Sequence, residues 1–395
     1  ILDSLGRKKG IIIGAFILFI SALWCSLSLS VVPLIIARLI GGIGCGIATT
    51  ACPLYISEIS PEKHRGRMVT LYHLSVCTGI VLCVFVNWGI FYFAEVNVDN
   101  PIDIPFIKWF AVEQNWRAMF ASEALPGALF LMLSAYLPES PRWLVKQNRI
   151  PEAIATLSKI SGPEKAHQIS SEIKEALSIE QTIRFLTLFT ARLRKPLILG
   201  VSVCILCEAC GISAVLYYGP QLFEQAGLSM GRSLGGFSIL AIVNMIFNLV
   251  AMRFIDTVGR KKLLSIGALG SMISLILIGC LYLMNKTGFI MVIFFISFIA
   301  FFAFSLGPVK FVLLGEIFPN QIRGKAISMG TLCIWITSAA VAQLFPMMRE
   351  IMPTGYIFFL FAVDIAGLLL VVYFLMPETK GKTIEEIERS WLIDQ

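Results

Sequence analysis

Charge is scarce in this chain. Only 14% of its 395 residues are Asp, Glu, Lys or Arg, histidine occurs three times, and 57% of residues are hydrophobic, with a mean hydropathy of +0.82. So few charges exclude a soluble domain of this size, where about a quarter of residues are charged. Also lacking are the patterns of a membrane enzyme: there is no His-x-x-x-His and no nucleophile placed beside a base. Gly41-Gly-Ile-Gly44-Cys-Gly46 follows no strand and falls inside an apolar run, where small residues serve helix packing rather than a nucleotide. These absences argue against an enzyme, and neither a cofactor nor a metal is expected. No disulfide framework is implied, because all ten cysteines lie within apolar runs. Cys204, Cys207 and Cys210 have iron–sulfur spacing but no fourth ligand and no following proline, so they read as small buried hydrophobes.

What the chain has instead is ten long apolar runs, at about 11–30, 31–56, 68–94, 118–137, 196–223, 233–254, 263–285, 288–316, 326–348 and 353–376. Each is near or above the roughly 20 residues a helix needs to cross the hydrocarbon core. They show no period-2 alternation, so an all-α membrane protein is expected rather than a barrel. The loops on one side hold 24 of the 32 Lys and Arg, those on the other only Lys108, Arg117, Arg232, Lys286 and Arg349. The basic set marks the cytoplasmic face, which places the first residue and the C-terminus of this chain on that side. The net charge of +7 follows from this topology and gives no reason to expect nucleic acid; lipid is the expected surroundings.

The chain also repeats itself. Asp3-Ser-Leu-Gly6-Arg7-Lys8 matches Asp256-Thr-Val-Gly259-Arg260-Lys261, Glu58-Ile-Ser-Pro61 with Arg65 matches Glu316-Ile-Phe-Pro319 with Arg323, and Pro138-Glu139-Ser140 matches Pro377-Glu378-Thr379. Three motifs in one order make two parallel halves. Two spans precede Asp256 but none precedes Asp3, so ten of twelve helices are expected here, with two N-terminal ones missing. The expected domains are an N-terminal bundle over 1–137, a linker with short helices over 138–195, a six-helix bundle over 196–376 and a C-terminal helix over 377–395, which opens on a Thr383-x-x-Glu386 capping box. Lys8, Lys9 and Lys262 read as topology signals. For Asp3, Arg7, Glu58, Arg65, Asp256, Arg260, Glu316 and Arg323, with Glu139, Arg142 and Glu378 of the third motif, a gate is expected: acid–base latches that pair across the two halves when the cytoplasmic side is shut.

Asp-x-x-Gly-Arg-Lys twice, PESPRWL at 138–144, GISAVLYY at 211–218, EIFPNQIRGKA at 316–326 and PETKGKT at 377–383 resemble the sugar porter family of the major facilitator superfamily. The resemblance covers nearly the whole chain. It implies the major facilitator fold of two pseudo-symmetric bundles and alternating access about a midplane site. The implied function is secondary active transport of a pentose or hexose, with the proton as co-substrate, by a monomer in a cell membrane, here the bacterial inner membrane. The alternatives are a cationic or polyol substrate, or a sugar sensor on the same fold.

In the family the sugar is held mainly by polar side chains of the second half, and here several are replaced. Cys207 and Glu208 stand where relatives have two adjacent glutamines, and Ser213 stands for the asparagine that follows. His73 and Ile80 stand for two glutamines of the family's fifth helix, Phe311 after Lys310 for a tryptophan, and Ile334 for a glutamine; Tyr217, Asn244, Gly307 and Trp335 are retained. Three accounts of Glu208 are open: a carboxylate that accepts from sugar hydroxyls, a site for a substrate rich in donors or positive charge, or a buried pair with Lys310 or His73. The bland reading of Lys310 is a base snorkelling to the cytoplasmic side. In proton-coupled members an arginine and a glutamate work with an aspartate of the first helix. The first two match Arg38 and Glu123, which gives these residues a coupling role as the alternative to a merely structural pair.

Overall fold

The computed structural model describes residues 2–60, 65–99, 103–179, 189, 193–225, 230–286, 288–318 and 322–378. The expected C-terminal helix from Thr383 lies outside them. Ten helical stretches among the described residues are long and apolar enough to cross a membrane, so the chain is a multi-pass membrane protein. No strand occurs among these residues. A helix satisfies every backbone N–H and C=O within one segment, which is what a chain this apolar requires where water is absent. The chain divides into two compact units, residues 1–181 and 182–395.

The first unit holds four spans: α1 (Arg7–Leu27), α2 (Val31–Ile59), α3 (Arg65–Val96), and a fourth built from α4 (Asn115–Ser122) and α5 (Ala124–Ala135). Helix α1 packs along α2 and α5. Three shorter helices follow, α6 (Pro141–Lys146), α7 (Ile150–Ser161) and α8 (Pro163–Ile179). Helix α6 starts where it does because Pro141 opens it and the Ser140 hydroxyl accepts from the Trp143 N–H at 3.3 Å. The three enclose a small core of Trp143, Leu144, Val145 and Ala153. They fall within the first compact unit.

The second unit holds six spans: α9 (Arg194–Ala209) with α10 (Ile212–Gln225), α11 (Met230–Val258), α12 (Arg260–Leu283), α13 (Phe289–Phe301) continuing into α14 (Gly307–Glu316), α15 (Arg323–Ile351) and α16 (Thr354–Leu375). One apolar core joins them, with Phe295, Phe298, Phe345 and Phe358 fully buried.

Three runs that read as continuous helices are interrupted, each beside a residue of interest. The fourth span turns at Glu123. The fifth breaks after Ala209, where Gly211 takes φ +89°; a side chain there would also run into the ring of Phe361. Only glycine suits both demands. The eighth passes through a π-helical stretch, Phe302–Leu306, directly before Gly307. Hydropathy does not register these breaks, because the residues on either side are as apolar as the helices themselves.

Candidate functional site

The repeated motifs form the same construction twice. In the first unit Gly6, at φ +99°, precedes α1, and the exposed N–H groups of Arg7 and Lys8 donate to Glu139 Oε1 at 2.9 and 3.0 Å. The Glu139 carboxylate thus caps the positive end of the helix. The Arg7 guanidinium turns to Glu58, with Nε donating to Oε2 and Nη2 to Oε1, both at 2.9 Å, and Ser140 Oγ donates to Glu58 at 2.5 Å. In the second unit Gly259, at φ +97°, precedes α12, the Arg260 N–H donates to Glu378 Oε1 at 3.0 Å, and Arg260 Nη2 donates to Glu316 Oε1 at 2.7 Å. A two-pronged Arg–Glu contact fixes geometry as well as charge.

Arg7 meets Glu58 and Glu139 of its own half, and Arg260 meets Glu316 and Glu378 of its own half. In each half the arginine opens one helix, and Glu58 or Glu316 lies at the end of another. Arg142 lies exposed on α6. The side chains of Asp3, Arg65, Asp256 and Arg323 lie outside the described residues, as does that of His73.

A second constellation sits within the spans of the first unit. Arg38 on α2 and Glu123 at the α4–α5 turn approach to 3.6 Å, with 57% and 44% of their side chains exposed. The guanidinium also lies 5.5 Å from the ring centre of Phe120, one turn before Glu123. A charge within a span is costly unless it is paired or wet, and here each of the two has the other as its partner.

The third constellation belongs to the second unit and has the opposite character. Lys310 Nζ donates to Glu208 Oε2 at 2.6 Å, with side-chain exposures of only 5% and 10%. Ser213 Oγ donates to Glu208 Oε1 at 3.2 Å. Since a hydroxyl has one proton to give, Ser338, 2.7 Å away, donates in turn to Ser213. The pair account of Glu208 is the one realised, with Lys310 as partner, and the snorkelling reading of Lys310 is corrected: two side chains extended toward each other neutralise at depth. Cys207 and Ile334 are buried. Gly307 begins α14, and Asn244 accepts from the Asn248 side chain at 3.2 Å. Tyr217, Phe311 and Trp335 by contrast expose their rings. Cys204, Cys207 and Cys210 are free and fully buried. The sequence reading missed Ser338, for which the only signal was its place one turn beyond Trp335. It also missed Asp364 in α16, whose buried Oδ2 has no hydrogen-bond partner among the described residues.

The family model described as "Sugar (and other) transporter" matches residues 1–391. The chain belongs to that family. Among this transporter's relatives, the arabinose-proton symporter of Bacillus subtilis is 35% identical over 99% of this chain and 82% of its own length. The D-xylose-proton symporter of Escherichia coli is 34% identical over 98% and 81%. Of the solved structures, the inward-open E. coli xylose transporter matches with a TM-score of 0.82 at 32% identity, covering 99% of this chain and 84% of that one. The proton:xylose symporter bound to 6-bromo-6-deoxy-D-glucose matches with a TM-score of 0.77 at 33% identity, over 99% and 84%. The fold is therefore that of the major facilitator transporters, and the protein is a transporter rather than an enzyme.

Proposed function

We propose that this transporter is a proton-coupled monosaccharide symporter that exposes a bound pentose or hexose alternately to the two sides of a bacterial inner membrane, with its basic loops in the cytoplasm. The observation that carries the reading is the Arg38–Glu123 pair: an acid held near a base within the spans, at 3.6 Å, in a chain similar to arabinose-proton and xylose-proton symporters. A carboxylate so placed takes up a proton from one side and releases it to the other while the arginine competes for its charge. The two Arg–Glu clasps, Arg7 with Glu58 and Arg260 with Glu316, are proposed to hold the helix ends of each half together as it moves.

The test is uptake and exchange in proteoliposomes. Glu123→Gln is expected to abolish accumulation of D-xylose or L-arabinose against a gradient while leaving counterflow intact. Uphill uptake at the wild-type level would remove Glu123 from the coupling, and absence of counterflow by the wild type would favour a sensor over a transporter.

A further inference from the structure

The buried charges of the second unit have no assigned task in proton coupling, and their geometry bears on the substrate. Glu208 lies on α9 just before the break at Gly211, and Lys310 lies on α14 just after the π-helical stretch. Ser213 and Ser338 add α10 and α15, so four helices converge on one network. The Lys310 ammonium also lies 5.5 Å from the ring centre of Phe302 and 5.6 Å from that of Phe311, whose own ring is exposed. An uncompensated carboxylate at this depth attracts a cation, and an uncompensated ammonium attracts an anion. At 2.6 Å each ion compensates the other. Between them they also supply one donor and one acceptor group, as a single amide does and as neither ion does alone.

We propose that Lys310 is a specificity-determining positioning residue: by holding Glu208 in the buried ion pair and the Phe311 ring beneath its ammonium, it keeps the second half's substrate-facing surface electrically neutral, so the transporter selects uncharged sugars over amines and sugar acids. The inference rests on the monosaccharide reading and deepens it. The exposed rings of Tyr217, Phe311 and Trp335 suit the same class of ligand, because a neutral pyranose offers C–H faces that stack on aromatic surfaces.

The test is competition for D-xylose uptake by glucose, glucosamine and glucuronate in proteoliposomes. Wild type that takes up no neutral sugar would refute the monosaccharide reading itself, whatever the variants do. Given uptake, glucose is expected to compete best. Lys310→Met is expected to shift the glucosamine-to-glucose ratio of inhibition constants toward the amine by roughly ten-fold, since like-charge and unlike-charge juxtaposition dominates discrimination at such a site. Glu208→Gln is expected to shift preference toward glucuronate. Lys310→Arg preserves the pair, and Glu208→Gln with Lys310→Met removes both charges; each is expected to restore the neutral preference. Where Lys310→Met does not fold, Lys310→Gln, which leaves Glu208 a hydrogen-bond donor, gives the same reading. An unchanged ratio in a folded single variant overturns the proposal. So does a folded doubly neutral variant that no longer prefers glucose, whether or not the single variants fold, because a surface with neither charge is as neutral as one with the pair.

Discussion

Each unit of the protein carries an ion pair inside its spans, and the two are built to opposite specifications. Arg38 and Glu123 stand loosely apart and exposed, while Lys310 and Glu208 are in close contact and sealed among helices. Charges held loosely at 3.6 Å bind each other less firmly than charges in close contact, so either can change its state at smaller cost. Sealed charges cannot: losing either partner strands the other in an apolar medium. The first pair is therefore suited to gaining and losing a proton, and the second to remaining as it is. The clasps at Arg7 and Arg260 show no such divergence, since the same three motifs close in the same way in both halves.

The comparison is broken most severely at the sealed pair. Lys310→Ala is expected to destabilise the protein by about 3–5 kcal/mol, read as a large fall in Tm in detergent, because Glu208 is left unpaired. Glu208→Gln with Lys310→Met is expected to recover most of that loss; a double variant as unstable as the single would show that packing rather than charge is responsible. Next in size come Gly6→Ala and Gly259→Ala, each expected to cost roughly 1–3 kcal/mol by straining a positive φ and pushing the capping carboxylate of Glu139 or Glu378 aside. Equal effects at the two positions would sharpen the equivalence of the halves, and unequal ones would break it. Glu123→Gln is expected to change stability by less than about 1 kcal/mol, although it removes uphill uptake. A large fall in Tm would make the Arg38 pair structural after all. At the bottom of the scale, Arg149→Ala removes the surface pair with Glu152, where both side chains are about half exposed, and no measurable change in Tm is expected.

Much of the fold was legible because membranes impose a coarse rule. Long apolar runs must be helices, and basic loops must mark one side, so the ten spans and the repeat could be read without coordinates. Arg38 and Glu123 drew attention because an ionisable residue in a span is expensive. Less legible was the partner of Glu208. It lies 102 positions away, and the depth at which two side chains on different helices meet depends on packing that no periodicity encodes. Ser338 stayed invisible for the same reason: a serine on a membrane helix usually returns its hydroxyl to its own backbone, and only the approach of α10 turns this one outward. Within each half, a repeated acid–base motif reveals its ingredients but not which acid each arginine meets.

By itself the sequence determined that the chain crosses a membrane as helices, that it consists of two related halves, and which charges lie where charge is costly. The first and last follow from transfer free energies, which depend on residue type and not on neighbours, and the second from the order in which the motifs recur. The tertiary structure alone decided where the spans break, that each arginine clasps the acids of its own half, and that Glu208 is neutralised by Lys310. Those depend on distances between helices, and a Coulomb or hydrogen-bond term has no value until a distance is given.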